Sequence, residues 1–374
     1  MRILVEKLDS VLLLGQGRVN ILHIGGSHVQ ADMYTDVVRM HLDSLNNGLR
    51  PPRGFIFPYA AARTNNPFGY KVRYGGEWMS RRNAAKQFDL AHGMSGILIA
   101  TTDTAAWFSI SLNVDSLCRW QATRIHLLGR SAQGRARPVV ETRHGSIVDY
   151  VEEPTGYLFE FPLPTDSFVV RVSFDSLQCA GEAERDTFIV TGIVPDNDEA
   201  GIVYNTIGVN GASVPSFLNC VDFERDMQLI KPDLAIFAIG INDANVENFD
   251  DSVFIANYDT LIQRIRCVSP DCALIFITNN DSKLRLPRRK AKVNRNGLLA
   301  QHAFYDLACR WRGGLWDLFE VMGGLGSMAQ WQVHGLANRD NIHFTRAGYR
   351  CVGRLFFEAL LDFYLDYDLP QYDY

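Results

Sequence analysis

Apolar residues fall along this chain in two rhythms. Continuous apolar runs at residues 19–25, 202–209, 234–239 and 273–278 give way at their ends to glycine or polar side chains. Short unbroken runs of this kind predict strands buried on both faces, as in a parallel sheet covered by helices. Between and after them the spacing becomes helical. It does so at Met33, Val37, Met40 and Leu45 with a stop at Asn47-Gly48, again around residues 252–266 and 297–311, and last over residues 346–367. Strands alternating with amphipathic helices predict an α/β fold with a parallel sheet, closed by a long helix packed on it.

From about residue 70 to 194 the pattern differs. Segments 96–101, 108–114, 123–128, 158–161 and 167–174 are short, often alternate, and are separated by Gly, Pro or Asp. This predicts an antiparallel β-sandwich of jelly-roll type. Because α/β signals lie on both sides, the sandwich is expected as an insertion, residues 71–194, into a discontinuous α/β unit formed by residues 1–70 and 195–374. Trp78, Trp107, Phe108 and Trp120 sit in or beside it and are read mostly as core.

The bulk numbers narrow the function classes. The 374 residues are 47% hydrophobic and 21% charged, ample for a folded core. A net charge of -5 argues against a general nucleic-acid binder, which needs a basic excess to neutralise phosphates. The one basic run, residues 283–292, is broken by Leu284, Leu286 and Pro287 and reads as a solvated loop. Seven cysteines, Cys118, Cys179, Cys220, Cys267, Cys272, Cys309 and Cys351, form no CxxC pair, so neither a zinc site nor a disulfide framework is signalled. No apolar stretch suits a membrane helix or the core of a signal peptide.

In an open parallel sheet, ligands meet the carboxyl ends of the strands. Four polar groups stand at such places or in the last loop. Gly25-Gly26-Ser27-His28 presents a hydroxyl in a tight turn at a helix start. Gly208-Val209-Asn210-Gly211-Ala212 brings backbone close to a substrate oxygen. Gly240-Ile241-Asn242-Asp243 offers a neutral amide donor. Asp340-Asn341-Ile342-His343 spaces a carboxylate three residues before an imidazole, so that the acid can fix the ring's tautomer while its other nitrogen takes a serine proton.

Taken in order, these blocks resemble the SGNH/GDSL hydrolases over residues 19–70 and 201–363. The resemblance implies a flavodoxin-like three-layer α/β/α fold and a serine-dependent ester hydrolase needing no metal or cofactor. It implies Ser27 as nucleophile, His343 as base and Asp340 as its orienter. The oxyanion hole would be the backbone N–H groups of Ser27 and Gly211 with the amide of Asn242. Residues 53–59, 316–318, 321–324 and 340–349 are similar to the branch that includes bacterial peptidoglycan O-acetylesterases, in which a carbohydrate-binding-like β-sandwich interrupts the catalytic domain. That similarity implies an O-acetylated carbohydrate as substrate and a cell-envelope, periplasmic or secreted location.

The sequence departs from the family where Gly26 replaces the usual aspartate before the serine. That departure leaves open a carbohydrate-binding relative with impaired catalysis, and the same residues also suit an acyltransferase in which a hydroxyl in place of water accepts the acyl group. His28, Met322, Gly323 and Gly324 are candidate pocket residues. His23, inside the first strand, reads as a satisfied core histidine, His334 as a surface residue, and Asp243 as a brace for its own loop.

Overall fold

The computed structural model describes residues 1–46, 48–85, 89–114, 119–175, 186–284 and 291–368. The proposed stop at Asn47, Cys118, Cys179 and residues 285–290 of the basic run lie outside these.

Five strands make one parallel sheet in the spatial order Gly201–Gly208, Arg18–Gly25, Leu234–Ala238, Ala273–Ile277, Gly314–Trp316. The four apolar runs form the first four of these, and in them nearly every side chain is buried. Continuous apolarity is what two covered faces require. Helices Asp251–Val268 and Asn296–Trp311 supply Tyr258, Leu261, Phe304 and Leu307 to the core that holds Phe237 and Phe276. The helices Arg2–Leu14, Tyr34–Leu45 and Arg346–Asp368 supply Leu4, Val38 and Phe356 to a second core with Ile21, Ile236 and Ile275. Alternate residues of one strand thus serve the two faces, which gives the three-layer α/β/α arrangement. The first strand lies between the strand that follows the insertion and Leu234–Ala238, so the strand order reverses beside it. A crevice opens at such a switch point.

The inserted β-sandwich has two antiparallel sheets. One runs Met79–Arg82, Ile97–Thr101, Phe188–Asp196, Ala122–Ser131, Gly156–Thr165, Tyr150–Glu153. The other runs Lys71–Gly75, Trp107–Ser111, Ser167–Phe174, Ala136–Thr142, Ile147–Val148. Alternation sets the inner faces: Phe168, Val170 and Val172 on one sheet, Ile125, Leu127, Phe159 and Phe188 on the other, all nearly or fully buried. Trp78, Phe108 and Trp120 are core, and Trp107 is half-buried. The sandwich core is continuous with that of one α/β face. Asp196 pins the two parts together, accepting from Arg18 at 2.8 Å and from Arg124 at 2.8 Å.

Three features depart from the sequence reading. The first helical segment is two helices, Ser27–Gln30 and Tyr34–Leu45. Asp32 breaks them with a φ of 50°, and its buried carboxylate holds Arg39 at 3.0 Å, Arg53 at 2.8 Å and Thr35 at 2.8 Å. A helix Arg2–Leu14 precedes the first strand. A fifth, three-residue strand, Gly314–Trp316, edges the parallel sheet. Among the described residues no helix is long and apolar enough to cross a membrane.

Candidate active site

The first strand ends at Gly25, paired with Gly208 on one side and Ala238 on the other. Ser27 follows as the first residue of a short helix. At a helix start the backbone N–H has no intrahelical partner. Among the described residues neither the Ser27 nor the Gly211 N–H donates to any acceptor. Gly211 sits at φ 82°, a left-handed conformation that a side chain would strain. Its preceding residue is held by Gln30, whose Oε1 accepts from the Asn210 N–H at 2.7 Å, and Asn210 itself bonds Thr64 and Asn65. Asn242 is the second residue of the helix Ile241–Ala244, which follows Gly240 at φ 148°, and its Nδ2 donates to the Ala212 carbonyl at 2.8 Å. That bond orients the amide with its second hydrogen still to place.

Ser27 Oγ lies 2.7 Å from His343 Nε2, and His343 Nδ1 lies 2.7 Å from Asp340 Oδ2. Asp340 Oδ1 accepts the backbone N–H groups of Ile342 and His343, each at 2.9 Å. Burial opposes ionisation of Asp340, but these N–H donors and the imidazole outweigh it and hold the carboxyl below its usual range. Both His343 and Asp340 are about one-third exposed, at 35% and 36%, so the dyad is open to a ligand. The last loop is clasped at its base: Asn338 N–H donates to the His343 carbonyl at 2.8 Å, and Asn280 Nδ2 to that of Ile342 at 3.0 Å. Asn341 takes the loop's one tight bend at φ 60°, which asparagine tolerates.

His28 is next to this array but turned inward. Its Nδ1 lies 2.8 Å from the Tyr349 hydroxyl and its ring 5.2 Å from that of His343. Burial, with help from the neighbouring imidazole, lowers its pKa to about 3, so it is neutral. It lines a small cavity of about 30 Å³ with Asn279, Asn280 and Tyr349 behind the dyad. The sequence singled out His28 but not Tyr349 or Asn280, which join it to the loop. Met322 is buried with Trp331 and Phe344, its carbonyl accepting from Trp331 Nε1 at 3.1 Å. Gly323 and Gly324 form a turn at φ 104° and 72° whose surroundings are Ser327, Glu320 and Phe319. The structure thus brings Ser27, Asp340 and His343 together, with Gly211 and Asn242 on neighbouring strand ends, and gives Met322, Gly323 and Gly324 contacts apart from them.

His23, His334 and Asp243 have plain roles. His23 is fully buried between the hydroxyls of Tyr204 and Tyr34, and burial lowers its pKa to about 3. His334 is exposed. Asp243 accepts from the Val214 N–H at 3.1 Å, and burial raises its pKa to about 7. At Gly26, a β-carbon would find the Asn242 amide nitrogen at 3.6 Å and the Ala212 carbonyl at 3.7 Å, ordinary contacts. A β-carbon at this position is therefore not excluded by crowding. The sandwich also reaches this crevice: Arg82 donates to the Asn210 carbonyl at 3.4 Å, and Ala84 lies beside Gly211.

Residues 184–351 match the model of the GDSL-like lipase/acylhydrolase family. The match includes Gly211, Asn242, Asp340 and His343, while Ser27 lies ahead of it, across the insertion. No curated protein matches the sequence. Among solved structures, a peptidoglycan O-acetylesterase is similar at 20% identity and a TM-score of 0.76, over 97% of this chain and 96% of that one. An acetyl xylan esterase is similar over 44% of this chain and 82% of that one at 17% identity, with a TM-score of 0.34. A lipase/acylhydrolase from Enterococcus faecalis is similar over 44% and 76% at 20% identity, also with a TM-score of 0.34. The carboxyl-terminal part of the chain is thus similar to the GDSL-like lipase/acylhydrolase family, and almost the whole chain shares its fold with a peptidoglycan O-acetylesterase.

Proposed function

We propose that this protein removes short acyl groups, acetyl above all, from a carbohydrate through a Ser-His-Asp acyl-enzyme route. The observation that carries the reading is the continuous chain of hydrogen bonds from Ser27 Oγ through His343 to Asp340, each link 2.7 Å. His343 Nε2 takes the Ser27 proton as Oγ attacks the ester carbonyl. The oxyanion is taken up by the backbone N–H groups of Ser27 and Gly211 and the amide of Asn242, which stand at neighbouring strand ends. His343 returns the proton to the departing sugar oxygen. Water, deprotonated by the same nitrogen, then releases the acid and restores Ser27. Asp340 holds the proton on Nδ1 throughout and offsets the charge of the transient imidazolium.

A sugar ester as substrate is supported by the sandwich turn that borders Gly211 and by a fold shared with a peptidoglycan O-acetylesterase. The test is acetate release from p-nitrophenyl acetate, O-acetylated peptidoglycan and acetylated xylan, with Ser27→Ala as control. Acetate from at least one glycan, lost in the control, is the expected result. Turnover of aryl esters with no glycan cleaved would remove the carbohydrate part of the reading.

A further inference from the structure

A groove of about 750 Å³ runs between the helix Tyr34–Leu45 and the start of the last helix. Its wall on the last helix is Arg346, Arg350 and Arg354. Spaced four residues apart, they stack on one helix face at about 6 Å intervals. All three are exposed, and among the described residues none has a carboxylate partner. The lining's one carboxylate, Asp36, is already engaged by Arg39 at 3.3 Å. Met33, Met40 and Phe68 make the apolar floor, and the Arg346 guanidinium lies 4.4 Å over the Phe68 ring. From the sandwich side, Arg119 reaches Met40 at 3.4 Å.

Three adjacent unpaired guanidinium groups repel one another, and a net charge of -5 on the whole chain makes their clustering stand out. A ligand with several anions in a row relieves that repulsion. Guanidinium forks match carboxylates in bidentate pairs, while Phe68 and the methionines give a flat apolar bed for ring faces. Two walls of the groove are also tied to the reaction centre through the backbone. Arg346 stands three residues beyond His343, and the Phe68 N–H donates to the carbonyl of Ala31, whose own N–H is bonded to the Ser27 carbonyl. We infer that this groove is a subsite for a carboxylate-bearing stretch of a glycan strand, which it feeds toward Ser27. Taking the bound strand as substrate rests on the esterase reading above; the binding itself does not.

The experiment measures fluorescence anisotropy of end-labelled oligogalacturonate with the full chain, against neutral dextran oligomers and inorganic polyphosphate. It compares wild type with Arg350→Glu/Arg354→Glu and with the milder Arg350→Gln/Arg354→Gln, each checked for folding by its thermal transition. Expected are binding of oligogalacturonate in preference to both other polymers, weakening of about tenfold or more in the glutamate pair, and loss at raised salt. The ratio of acetate release from acetylated polygalacturonate to that from p-nitrophenyl acetate should fall about tenfold in parallel. Unchanged affinity in both folded variants, equal binding of dextran, or preference for polyphosphate would overturn the inference. Failure of the wild type to cleave any ester would overturn the esterase reading, with the anisotropy still deciding on the groove.

Discussion

Asp340 grips His343 twice, through Oδ2 to the ring Nδ1 at 2.7 Å and through Oδ1 to the residue's own backbone nitrogen at 2.9 Å. The second contact fixes the carboxylate plane, so the first comes with its geometry already set. Asp340→Asn keeps an oxygen for the backbone N–H but loses the charge that favours the correct tautomer. We expect kcat for p-nitrophenyl acetate to drop by roughly 10³- to 10⁴-fold with little change in KM. A loss of less than tenfold would remove Asp340 from the mechanism.

Asn242 is oriented by the Ala212 carbonyl, not by a substrate. Asn242→Ala should lower kcat by about 10² to 10³ while KM moves little, because the amide's remaining hydrogen works only against developing charge. Equal losses on kcat and substrate affinity would indicate a binding role instead.

Gly26 has room for a β-carbon and a φ of -93°, outside the left-handed region that favours glycine. Gly26→Asp should fold, with stability to urea within about 1 kcal/mol of wild type. A larger loss would show that the turn before Ser27 depends on glycine.

The Tyr349 hydroxyl is the partner of His28 Nδ1 in a partly buried setting. Tyr349→Phe leaves that nitrogen unsatisfied and should cost about 1–3 kcal/mol in urea unfolding. Stability equal to wild type would mean that His28 finds another partner.

Asp243 has its pKa raised by burial from 3.8 to about 7. A raised acid favours folding while protonated. Its contribution is therefore present at low pH and is lost as pH rises through the interval up to about 7. Asp243→Asn mimics the protonated form, so its unfolding free energy should fall less than that of wild type between pH 5 and 8. Identical slopes would contradict this.

The sequence made the parallel sheet legible because four of its strands are buried on both faces and so read as unbroken apolar runs. Gly314–Trp316 has no such run, since an edge strand of three half-buried residues leaves little pattern. The helix Arg2–Leu14 was obscured by Leu13 and Leu14, which are 70% and 68% exposed and blur its amphipathic face. The site blocks were readable as motifs because each is local. The break at Asp32 was not, as it depends on Arg39, Arg53 and Thr35 meeting one buried carboxylate. Tyr349 and Asn280 escaped notice for a similar reason: nothing in their own neighbourhoods announces that they tie His28 and Ile342 into the last loop.

Whether Ser27 is the nucleophile is decided by kcat/KM of Ser27→Ala on p-nitrophenyl acetate beside wild type. With the hydroxyl gone, no acyl-enzyme can form, and kcat/KM should fall by at least about 10³-fold in a protein that still folds. Activity equal to wild type would contradict it.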